Sequence, residues 1–137
     1  PKLPRREEKV DPQKLAATPE DAARRAAELT TNWTGETAAR QYRELARVTV
    51  GEARKQALEA AARLQTDPQL SAPGARSTGT VEAFANRGST VAGQELVVVT
   101  RERVAADGLN ETRWRVTLAT VERRARGWVL SRWEPQP

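Results

Sequence analysis

The chain contains no cysteine, no histidine and no methionine. Without cysteine there is no disulfide, no thiol nucleophile and no thiolate metal ligand. Without histidine, the usual general base near neutral pH and the commonest metal ligand are both missing. Without methionine, Pro1 does not read as a translational start. The natural protein is therefore expected to continue upstream, where a membrane anchor or signal segment would lie. No run of about 18 apolar residues occurs, so no segment reads as a transmembrane helix. Aromatic residues are scarce, with four Trp, one Tyr and one Phe.

What is present is alanine and mixed charge. Hydrophobic residues make up 38% of 137 residues, but much of that is alanine, which buries little area. The core must rest on the tryptophans and on the Leu and Val set. This length suits one domain. The net charge is +5, carried mostly by arginine. The arginines are scattered among glutamates, which favours a solvated surface over a nucleic-acid footprint.

Residues 1–17 hold three prolines and dense charge, and read as a linker or tether. Residues 18–137 are expected to form a single domain. Thr18 is an N-cap, Pro19 takes the first helical position, and Glu20 and Asp21 load the first turn. Ala22, Ala26, Leu29 and Trp33 share one face of that helix. A short helix over 36–46 follows, with Ala38, Tyr42 and Leu45 inward. Thr49 and Glu52 have the spacing of a capping box for a third helix ending near Gln65. Its stripe of Ala53, Ala57 and Ala60 predicts close packing. Asp67-Pro68 stops it.

Beyond the 66–76 loop the apolar period changes to two. Strands are predicted over 77–86, 93–105, 109–123 and 128–134. Asp107-Gly108 is a hairpin signal. A two-residue turn there sets Val97 across from Leu118, Val99 from Val116, and Arg101 from Trp114. That face, with Trp114, Val116 and Leu118, looks like the core. The opposite face pairs Glu102 with Arg113 and Thr100 with Arg115. It also carries Leu96 and Val98 beside Ala119 and Val121, with Trp128 and Leu130 joining unless a bulge near 124–127 flips the last strand. An apolar end on this second face requires either a sheet curled on itself or a partner. Leu96, Val98, Trp128, Leu130, Arg113 and Arg115 are therefore the expected interaction residues. Trp128 and Trp133 are expected on opposite faces of their strand.

The fold class is thus α+β, three N-terminal helices packed on a strongly curved antiparallel sheet of about four strands. This order, with the closing segment Gly127-Trp128-Val129-Leu130-Ser131-Arg132-Trp133-Glu134-Pro135, resembles the cone fold of nuclear transport factor two and the ketosteroid isomerases. It is similar in particular to extracytoplasmic members: scaffold subunits of type IV secretion, transfer proteins of Gram-positive conjugative elements, and actinobacterial Mce-associated membrane proteins. The resemblance implies a single-pass membrane protein with this domain outside the cytoplasm. It also implies protein subunits of a membrane complex as partners, self-association, and a membrane contact through an upstream segment.

Chemistry is sparse. Asp11, Asp21, Asp67 and Asp107 each have a local role in a linker, helix start, helix stop or turn. Glu82 and Glu102 lie on strands, where cross-strand pairing accounts for them better than acid/base work. No metal-ligand spacing or phosphate-binding glycine pattern occurs. No cofactor is expected. The leading expectation is a non-enzymatic assembly domain. A cone holding a small ligand or an isomerase-like site, with Tyr42 and carboxylates converging, is the alternative.

Overall fold

The structure, a computed structural model, describes residue 10 and residues 14–137. Most of the expected tether, 1–9 and 11–13, lies outside the described residues. Its last part does not stand apart from the domain. Ala16 is buried, and its carbonyl accepts the Trp128 amide at 2.8 Å.

Three helices come first: α1 (Pro19–Thr31), α2 (Ala38–Ala46) and α3 (Gly51–Thr66). A two-residue strand, β1 (Trp33–Thr34), separates α1 from α2. Then β2 (Arg76–Thr90), β3 (Gly93–Ala106), β4 (Leu109–Arg124) and β5 (Gly127–Pro135) run as a strongly curled antiparallel meander in the order β1-β2-β3-β4-β5. The fifth strand, β1, is too short to show a period in the sequence.

Local signals account for most of these boundaries. The Thr18 hydroxyl accepts the Asp21 amide at 3.0 Å, and Pro19 opens α1. The capping box before α3 does not form. Val50 is the N-cap, and the Thr49 hydroxyl donates instead to the Ala46 carbonyl at 3.1 Å. Thr49 is also bridged to Leu130 of β5, which fixes its backbone elsewhere.

The end of α1 is tied to β2 by Asn32, whose amide donates to the Gly79 carbonyl at 3.1 Å and accepts the Gly79 amide at 2.9 Å. Gly79 is needed for this approach, because a Cβ there would stand 2.3 Å from the Thr31 Cβ.

The Asp107-Gly108 hairpin forms in the predicted register, with Ala106 opposite Leu109, Val99 opposite Val116, and Arg101 opposite Trp114. Gly108 takes φ +74, as such a turn demands. The face turned to the helices, however, is the other one. Leu96, Val98, Ala119 and Val121 are fully buried beneath α1 and α2. Trp114 is 64% exposed and Val116 43% exposed, on the outer face. The expectation that Trp114, Val116 and Leu118 form the core is therefore corrected. Every helix packs on one side of the sheet, and the alanine surface of α1 (Ala22, Ala23, Ala26) lies close against residues of medium size.

A second correction concerns β5. Ser131 is skipped in the pairing, so Leu130 faces Val121 while Arg132 faces Thr120. This bulge returns Trp133 to the same face as Leu130 and Trp128. Both tryptophans pack against the core instead of on opposite faces.

The choice of face predicts opposite costs for two truncations. Leu96→Ala should lower unfolding stability by roughly 2–5 kcal/mol. Trp114→Ala should change it by less than about 1 kcal/mol. Chemical denaturation of both variants reads the difference.

Candidate functional site

Toward the Asp107-Gly108 end, the inner sheet face stops being apolar. Along β3 the inward residues run Leu96, Val98, Thr100, Glu102, Val104. Along β4 their neighbours run Ala119, Thr117, Arg115, Arg113. Across the gap, α3 presents Ala53, Ala57 and Ala60, side chains too short to fill it. The result is an open cavity of about 430 Å³ between α3 and the curled sheet. Tyr42 and Leu45 of α2 close one side, and Trp33, Trp133, Leu64 and Leu70 line others. The mouth of the cone is not plugged.

Five polar groups, Glu102, Arg115, Arg113, Tyr42 and Thr117, set its electrostatics. Glu102 is only 6% exposed. Its carboxylate meets Arg115 at 3.5 Å and accepts the Ser77 hydroxyl at 3.4 Å, both long contacts for a buried acid. The expected Glu102–Arg113 pair is replaced. Arg113 turns to Glu111 at 2.7 Å, so Glu102 is reached by the diagonal neighbour. Burial pushes the Tyr42 phenol above its ordinary value of 10.0, and the Glu102 charge pushes the same way, against smaller pulls from Arg115 and Arg63. Tyr42 is thus a neutral phenol at physiological pH.

The fifth group is Thr117. It is 1% exposed, lines the cavity, and its hydroxyl has no hydrogen-bond partner among the described residues. A buried hydroxyl without a partner costs about 1–3 kcal/mol.

The sequence-predicted residues divide accordingly. Leu96, Val98 and Leu130 are 0%, 0% and 2% exposed inside the domain, and Trp128 is partly buried against them. Leu96, Val98 and Leu130 thus form core under the helices, and Trp128 keeps only part of its surface free. Arg113 and Arg115 do stand at the cavity, joined by Arg63 of α3. Glu102 and Thr100 read in the sequence only as cross-strand partners, and Thr117 carried no reading at all, so the three were not recognised as one polar floor. Their signal was three polar residues on the inward phase of otherwise apolar strands. Chemically the cavity can bind and orient. Among the described residues, no cluster of acidic side chains has metal-site geometry.

No known family model matches the chain, and no curated protein matches it in sequence. In three dimensions it is similar to the structure of the Agrobacterium tumefaciens VirB8 protein, with a TM-score of 0.66 and 12% identity over 85% of this chain and 88% of that one. At this identity the likeness shows the fold: three helices on a curled antiparallel sheet, the cone type of nuclear transport factor two.

Two measurements follow from the buried polar groups. Thr117→Val removes an unpaired hydroxyl at nearly constant volume, and should leave stability unchanged or raise it by up to about 1 kcal/mol. Tyr42 is the sole tyrosine, so phenolate absorbance reports it alone. With its pKa raised in the fold, the unfolded chain loses the proton first as pH climbs past 10.0, and stability falls from there upward. Tyr42→Phe should remove that part of the alkaline loss and shift nothing below it.

Proposed function

We propose that this chain is a non-catalytic assembly domain of a type IV secretion or conjugative transfer apparatus. In this reading it is held at the membrane by a segment outside the described residues and stands on the extracytoplasmic side. Two things support it. VirB8, a type IV secretion component, has the same fold over most of its length, at low identity. The carboxylate that lines the cavity, Glu102, is also held by Arg115 and the Ser77 hydroxyl, which favours a structural role for it over proton transfer.

The observation that carries the reading is Trp114 on the outer sheet face, 64% exposed beside Val116. Among the described residues no helix covers this face. Val97, Val99 and Leu118 continue it, each half-buried. An exposed tryptophan with an arginine beside it has the composition of an interface hot spot. Arg101 lies 5.7 Å over the Trp114 ring and pairs with Glu82 at 3.5 Å, so a mixed-sign rim borders the apolar centre. Such a rim is self-complementary across a two-fold axis, and a second copy of this chain is the partner it fits. Among the described residues no helix is long and apolar enough to cross a membrane. Membrane attachment therefore belongs to the proposal.

Light scattering after size exclusion, over a concentration series, tests the contact. Trp114→Ala should weaken self-association by at least about tenfold with the fold intact, as loss of a hot-spot residue does. Leu58→Ser, at the exposed apolar position on α3, should leave it unchanged. A parent that stays monomeric throughout, or a Trp114→Ala variant that associates like the parent, would defeat the outer-face reading.

A further inference from the structure

The geometry points to a second function for the domain: the cone cavity between α3 and the sheet is a binding site for a small amphipathic organic anion, a carboxylate on an apolar body that carries a hydrogen-bonding group at its far end. The site is independent of the outer sheet face, so it stands or falls apart from the assembly reading.

Volume is the first argument. About 430 Å³ lies within the range of small-molecule sites and well above a packing defect. The void is built in by sequence, since α3 offers alanines where a leucine would fill the space. The second argument is charge. Arg63, Arg113 and Arg115 line the cavity against a single carboxylate, that of Glu102. Arg115 answers Glu102 and Arg113 answers Glu111. Arg63 has no ion pair among the described residues, which leaves the mouth cationic. The third argument is Thr117, buried, unpartnered and at the inner end of the same cavity.

The arrangement along β4 sets the polarity of the ligand. Arg113 and Thr117 lie four residues apart on one strand face, about 13 Å at the rise of a β-strand. The anionic end sits at the mouth with Arg63 and Arg113. The apolar body lies along Ala53, Ala57 and Ala60, at the level of Thr100 and Arg115 between those two ends. The far hydroxyl or carbonyl reaches Thr117 and satisfies it. Leu64 and Leu70 at the rim shield the body from water.

Calorimetric titration with three probes separates these contributions: ω-hydroxyoctanoate, octanoate and octan-1-ol. Binding should follow that order, with the hydroxy acid tightest. Arg63→Gln should weaken both acids about tenfold, the scale of one charge-assisted hydrogen bond, and leave octan-1-ol unchanged. Thr117→Val should erase the advantage of the hydroxy acid over octanoate. Ala57→Phe, which fills the void, should abolish all binding while circular dichroism shows an intact fold. If that variant fails to fold, Arg63→Gln and Thr117→Val carry the test alone. Equal affinity for octanoate and octan-1-ol would overturn the anion assignment. No binding of any probe, or binding unaffected by Arg63→Gln and Thr117→Val, would overturn the site.

Discussion

The turn at Asp107-Gly108 governs the phase of the sheet. A two-residue connection admits one register, and in a pleated strand the register decides which residues share a face. With Ala106 opposite Leu109, the even residues of β3 are locked to the odd residues of β4. One set holds Leu96, Val98, Ala119 and Val121, then Thr100, Glu102, Arg115 and Thr117 nearer the turn. The other set holds Val97, Val99, Val116 and Trp114. A slip of one residue in β4 would turn Trp114 and Val116 inward and take Arg115 away from Glu102.

The position of the helices follows from that phase. The alanine surface of α1 packs closely only against compact side chains, and Leu96, Val98, Ala119 and Val121 supply them at zero exposure. Nearer the turn the inward residues are polar, so α3 cannot seal against them. It meets the sheet mainly through β5 instead, beside the Thr49–Leu130 bridge. The cavity is the space left over. Its polar floor is costly: a carboxylate with two long contacts and a hydroxyl with none each carry a desolvation penalty. A fold that retains such groups inside an otherwise apolar shell is organised around something other than stability at that point.

Much of this could be read from residues alone. Thr18 and Pro19 start α1 where capping chemistry puts them, and the whole β3–β4 register follows from one dipeptide. The choice of face could not be read, because both faces are apolar over part of their length and the bulk of Trp114 weighs toward the wrong one. What decides it is where the helices end, and that is a tertiary fact. The bulge at Ser131 is similarly silent, since no glycine or proline interrupts the run from Trp128 to Glu134. It alone brings Trp133 inside. Thr49 and Glu52 carry a capping pattern that the bridge to Leu130 overrides. The cavity left a trace, the inward Thr100, Glu102 and Thr117, legible only once the inward phase is known.

The central claim is that Leu96, Val98, Ala119 and Val121 face the helices while Trp114 faces water. Fluorine NMR on fluorotryptophan-labelled protein tests it directly, with a soluble paramagnetic agent added in steps. Of the four indole signals, the one assigned by Trp114→Phe should broaden first and furthest, with Trp33, Trp128 and Trp133 more protected. A protected Trp114 signal, with Trp128 or Trp133 broadening ahead of it, would mean that the sheet is turned the other way.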